Sequence, residues 1–197
     1  FAVYLMDIPG YDYSGTRLFD DADRPDVQQT GNKFSSRRIN NNFAAVYFPD
    51  VSMQDRAGSP RKIKVPSSVA ALAAIGYNDA VSHPWYAPAG FNRGALNFVA
   101  STAVRLNSND RDFLYDNRIN AITSFAGTGY VIFGQKTLQV GKSALDRVNV
   151  RRLVNEVKRT VSNIANNFLF EQNNAATRAA FVAQVNPLLA LVQAQQG

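Results

Sequence analysis

The sequence predicts an α/β domain, a mixed β-sheet flanked by helices. Three observations carry that class. Phe43 to Phe48 is an unbroken apolar run, as strands buried on both faces are. Ile119–Phe125 and Tyr130–Phe133 are short apolar strands joined by the turn Gly127-Thr128-Gly129. From Arg147 to Phe168, apolar residues recur at the spacing of an amphipathic helix.

The elements follow in order. Residues 2–8 read as an apolar strand stopped by Pro9-Gly10. Residues 11–42 turn polar, with Asp20, Asp21, Asp23 and Asn40-Asn41-Asn42, and read as an exposed excursion holding one short helix near Lys33–Ile39. Pro49 ends the strand Phe43–Phe48. The stretch Ser52–Pro66, with Gly58, two prolines and four basic residues, reads as a loop. Ser67-Ser68 then cap a helix of small residues from Val69 to Ile75. His83 to Gly90 carries Pro84 and Pro88, which exclude regular structure, so an ordered loop anchored by Trp85 is expected. A helix near Asn109–Asn117 buries Phe113 and Leu114.

The long helix spans 147–168. Val150, Leu153, Val154, Val157, Val161, Ile164, Ala165 and Phe168 form its apolar stripe. Arg151, Arg152, Asn155, Lys158 and Arg159 lie on the polar remainder, about 30 Å long at 1.5 Å per residue. A terminal helix over 175–195 buries Phe181, Val185, Leu188, Leu189 and Val192, and Pro187 predicts a kink or break within it.

At 197 residues and 46% hydrophobic content the chain suffices for one domain over 1–197. The absence of cysteine excludes thiolate zinc sites, thiol nucleophiles and disulfides. No uninterrupted apolar run approaches the roughly 20 residues of a bilayer span, so no membrane partner is expected. A net charge of +6 permits an acidic partner, but the basic residues are dispersed rather than gathered into an arm. Tyr4, Tyr47 and Tyr130 fall in apolar strands, where core packing accounts for them better than base stacking. Direct nucleic-acid binding is not expected.

Several stretches imitate chemistry. Gly134 to Ser143 follows a strand and ends in Gly-Lys-Ser, as a phosphate-binding loop does. Such a loop needs four residues between its glycines; here there are six, and Lys136 stands where glycine should. His83 is the only histidine and has no triad partner at a suggestive spacing. The cluster Asp20-Asp21-Ala22-Asp23 lacks the alternation, glycine and closing glutamate of a calcium loop. No catalytic, cofactor or metal residue is assigned.

One ordered set of motifs is more specific. Ile119-Asn120-Ala121-Ile122, Gly127-Thr128-Gly129, Gly134-Gln135-Lys136-Thr137-Leu138, Val148 to Leu153 and Phe170 to Asn174 resemble, in this order, the C-terminal core of contractile tail sheath proteins. Those belong to myovirus-type, T-even-like phages and related injection machines. Pro66-Ser67-Ser68, Trp85 and Ala87-Pro88-Ala89 extend the resemblance. It takes in most of this chain and only part of a sheath subunit, so the chain is expected to continue beyond both ends.

The resemblance implies a mechanical, non-enzymatic protein that polymerises in a helical homo-oligomer around a tail tube protein. It also implies baseplate and tail terminator proteins as partners, and the virion as location after assembly in the host cytoplasm. In that family, neighbouring subunits are stitched by arms that add strands to an adjacent sheet. Arg151, Arg152, Lys158 and Arg159 become the candidate interface with another subunit or the tube. The alternative from another class is a nucleotide- or nucleic-acid-binding α/β protein.

Overall fold

The computed structural model describes residues 2–20, 23–54 and 61–197. A four-stranded sheet forms its centre, in the order β1 (Tyr4–Met6), β2 (Ala44–Phe48), β6 (Ile119–Phe125), β7 (Gly129–Phe133). β1 and β6 run parallel to β2, and β7 returns antiparallel along β6. The turn into β7 uses Gly127 and Gly129 at φ of 80° and 82°, a region that side chains with a Cβ disfavour.

Alternation along β2 and β6 builds two cores. Ala44, Val46, Phe48, Ile119 and Ala121 face one way, under α1 (Val27–Ser35) and α4 (Ser108–Asp116), where Phe34 and Leu114 meet them. Ala45, Tyr47 and Ile122 face the other way, onto Ala70, Ala71 and Ala74 of α2 (Ser67–Val81) and onto Val148. Small residues on α2 allow that close approach to the sheet, and a single helical turn, α3 (Gly90–Arg93), follows α2 in the chain. The double burial expected of Phe43–Phe48 holds for the five residues of β2, whereas Phe43 lies just before the strand and is 41% exposed.

The short helix of the polar excursion lies earlier than Lys33–Ile39. It is α1, started by Asp26, whose carboxylate accepts the Gln29 N–H at 2.8 Å. Its buried face includes Thr30 and Gly31 against α4, so polarity concealed it. Of the acidic cluster, Asp21 and Ala22 lie outside the described residues.

Ser52–Pro66 is not a plain loop. β3 (Val51–Gln54) and β4 (Lys62–Val65) pair antiparallel, and β5 (Val99–Thr102) adds to β3 on its other side. Val51 faces Val65 and Met53 faces Ile63, while Ser52 and Gln54 face Lys64 and Lys62. The lysines are thus the polar positions of an alternating strand. Residues 55–60, Gly58 among them, lie outside the described residues.

Helix α2 is not capped by its own serines, which occupy its first turn. Asp7, just past β1, accepts the Ser68 N–H at 2.8 Å and the Ser68 hydroxyl at 2.7 Å, and Asp50, just past β2, accepts the Ser67 N–H at 3.1 Å. Two strand ends thereby satisfy a helix start.

The long helix is α5 (Val148–Asn166), preceded by a single 3₁₀ turn at Ala144–Asp146. The terminal helix α6 (Ala175–Ala194) continues through Pro187 without a break. It lies back along α5: Phe168 meets Phe181 edge-on at 5.6 Å, and the α6 C-terminus returns to Trp85, whose indole donates to the Gln195 carbonyl at 3.1 Å. Trp85 anchors its loop as expected, and Asn149 of α5 donates to its carbonyl at 3.2 Å. Phe181, Val185, Leu188 and Val192 are only half-buried, and Leu189 is exposed, so α6 does not enter the core. By length and composition α6 is apolar enough to cross a membrane, although Gln184, Asn186 and Pro187 interrupt its apolar run.

Candidate functional site: a groove between the edge strand and the basic helix

The stripe of apolar residues on α5 is half-buried and turned to α6, while Val148, Arg151 and Asn155 are the residues it buries deepest. Their spacing of three and four sets them on one face. This separates the four basic residues that the sequence grouped on a wet surface.

Arg151 is 3% exposed, with its guanidinium 4.0 Å from the centre of the Phe43 ring. Desolvation pulls it below the usual guanidinium range, although arginine stays charged at physiological pH. Arg152 grips Asp79 of α2, Nη2 donating to both carboxylate oxygens at 2.5 and 2.6 Å. Neither matches the expectation of a solvated cation, because the polar side of α5 faces the body of the domain. Lys158 and Arg159 do lie at the surface, Arg159 paired with Glu156 one turn back at 2.8 Å.

Between α5, α2 and β1 lies a cavity of about 320 Å³. Val3 and Leu5 contribute from the edge strand, Leu72, Ile75 and Asp79 from α2, and Arg152, Asn155, Glu156 and Arg159 from α5. Two buried polar atoms here have no hydrogen-bond partner among the described residues: Arg152 Nη1, a donor, and Asn155 Oδ1, an acceptor. Native proteins rarely leave such groups unmet. Among the described residues β1 pairs only with β2, which leaves its outer edge without a strand partner beside them. A donor, an acceptor, an apolar floor and an open strand edge together match what an extended peptide segment presents.

Four amides of the phosphate-loop imitation are engaged within the fold. The N–H of Lys136 donates to Asn120 Oδ1, that of Thr137 to Asp146 O, that of Leu138 to Ala44 O and that of Val140 to Asn40 Oδ1. Leu138 and Thr137 are buried, and Gly127-Thr128-Gly129 is the hairpin turn between β6 and β7. His83 stacks on Trp85 with ring centres 4.7 Å apart, a packing role. No group of three or more metal-ligating side chains occurs among the described residues. The sequence missed Asp79 and Asn155, which carry no motif and matter only through what α5 packs against.

No family model matches the chain. It is 43% identical over 133 residues to the tail sheath protein of Vibrio phage KVP40, covering 68% of this chain and 20% of that protein. Against the tail sheath protein of Enterobacteria phage T4 it is 40% identical over 121 residues, 61% of this chain and 18% of that protein. It thus spans only a small part of the relatives' length. In fold it is similar to the contracted PVC sheath of an extracellular contractile injection system, with a TM-score of 0.75 and 24% identity over 98% of this chain and 49% of that one. The contracted helical sheath of the anti-feeding prophage gives a TM-score of 0.68 at 27% identity, over 80% of this chain and 42% of that one. Shared sequence across most of its residues and a shared fold make this chain a member of the contractile tail sheath family.

Proposed function

We propose that this chain is the α/β core of a sheath subunit that polymerises helically around a tail tube and contracts to drive the tube through a host envelope. The observation that carries the reading is the 43% identity to a phage tail sheath protein. The groove supports it mechanically. A strand from a neighbouring subunit laid along β1 would give Arg152 Nη1 a carbonyl and Asn155 Oδ1 an amide, filling both unmet valences. Main-chain pairing of that kind holds while the subunits it joins change orientation. The work of contraction is then the free-energy difference between two packings of the same subunits.

Lys158 and Arg159 are the surface cations left to meet another subunit or the tube, while Arg151 and Arg152 act from inside by shaping the groove. Baseplate and terminator proteins would close the ends of the lattice, and the virion, assembled in the host cytoplasm, is its place. A structural role follows from the likeness to proteins named tail sheath protein.

The test is negative-stain microscopy of the full-length protein after concentration, in which regular tubes are expected. Changing Lys158 and Arg159 together to Glu should impair tube attachment or assembly while leaving the melting temperature near that of the parent. Soluble, unassembled full-length protein in every condition that supports tails would refute the reading.

A further inference from the structure

We propose that the tip of the α5–α6 hairpin, Leu169-Phe170-Glu171, inserts into a cavity beside Phe133 on a second copy of this chain, making a head-to-tail contact. It deepens the sheath reading and rests on it.

The knob is conspicuous in physical terms. Phe170 is fully exposed and holds a φ of 68°, a left-handed conformation that a bulky residue rarely adopts. Leu169 beside it is 62% exposed. Glu171, also exposed, has no ion-pair partner among the described residues. Two apolar side chains and an unpaired carboxylate thus stand together at the end of a two-helix projection.

The receptor lies at the other end of α5. A cavity of about 560 Å³ is lined by Ala89, Gly90 and Phe133 on its apolar side and by Arg111, Asp112, Gln135 and Arg147 on its polar side, Arg147 being paired with Asp146 at 3.2 Å. Phe133 belongs to an aromatic cluster with Phe125 and Phe91, at 5.1 and 5.2 Å, and both Phe133 and Phe91 present about half their surface to solvent. Arg111 lies over Phe125 at 5.2 Å without a carboxylate partner. Gln135 Oε1 is buried and unmet. An aromatic floor and the Arg111 guanidinium complement a phenylalanine followed by a glutamate, and the Gln135 oxygen can accept a backbone N–H of the incoming tip.

The occupant has to be another copy. Arg147 immediately precedes α5, whereas the knob follows its far end, and nineteen helical residues at 1.5 Å each separate them by about 28 Å. A rigid helix cannot bring its tip back to its own start. Knob and cavity are different surfaces, so the contact is heterologous and repeats into an open chain of subunits.

The chain has no cysteine, which makes a crosslink readable. Phe170→Cys combined with Ala89→Cys, in this chain and in the full-length sheath protein with any cysteine outside these residues replaced by serine, should give on oxidation a ladder of covalent oligomers. Phe170→Cys alone should give at most dimers. Glu171→Arg and Arg111→Glu should each lower tube yield about tenfold, and the two together should restore it. No ladder from the paired cysteines, or one that stops at the dimer, would overturn the contact, as would normal tubes from Phe170→Asp. The crosslink is read in solution whether or not tubes form, so absence of tubes from the unmodified protein counts against the sheath reading alone.

Discussion

Asn120 and Lys136 exchange two hydrogen bonds across the centre of the domain: the Lys136 N–H donates to Asn120 Oδ1 at 2.6 Å and Asn120 Nδ2 donates back to the Lys136 carbonyl at 2.9 Å. The same amide also reaches the Val46 carbonyl at 3.0 Å, so one buried side chain ties β2, β6 and the segment after β7. Gly134 is needed beside it, since a Cβ there would lie 3.0 Å from Asn120 Oδ1 and 3.1 Å from its Cα.

Removing that amide strands buried backbone groups, each costing about 1–3 kcal/mol. Asn120→Ala should therefore lower stability by about 3 kcal/mol. Urea unfolding should show a lower midpoint with an unchanged slope. A loss below about 0.5 kcal/mol would mean that water replaces the amide.

Asp7 serves helix α2 from outside, as a capping residue does from within. Asp7→Ala should cost about 1 kcal/mol, and Ser68→Ala added to it should cost little more, because the two share one interaction. Full additivity in a double-mutant cycle would contradict the shared cap.

At Gly31 in α1, two effects oppose. Alanine ordinarily gains about 1 kcal/mol over glycine within a helix. Here its Cβ would fall inside the van der Waals envelope of the Phe113 ring, which packs on the core beneath α1 and α4. Overpacking of that kind costs about 1–3 kcal/mol, so Gly31→Ala should lower the melting temperature, and Phe113→Leu should relieve the loss. A rise in melting temperature for the single variant would show that the ring moves aside freely.

Tyr115 receives a hydrogen bond from Arg147 and lies beneath the Lys136 ammonium, which sits 3.2 Å from its ring centre; together they lower its phenol below the ordinary value near 10. Burial raises the phenol of Tyr47 instead. Ultraviolet titration should show Tyr115 ionising first, in a step that Tyr115→Phe removes, and Tyr47 only as the domain unfolds. A lowered phenol adds stability above the unfolded value of about 10 and loses it as pH falls through the folded value. The stability of Tyr115→Phe near pH 7 should accordingly change little.

Sequence alone determined the local features whose signals repeat within a few residues: the buried run of β2, the hairpin β6–turn–β7, the extent of α5, and the ordered motifs that led to the family. Tertiary structure decided what those elements meet. The period of α5 marked an apolar stripe without saying that α6 would cover it, leaving Arg151 under Phe43 and Arg152 on Asp79. It likewise paired Val51 with Val65, and set Asp7 at the head of a helix sixty residues away. Periodicity reports what a segment can bury; the partner that buries it comes from distant parts of the chain, and no local pattern encodes that choice.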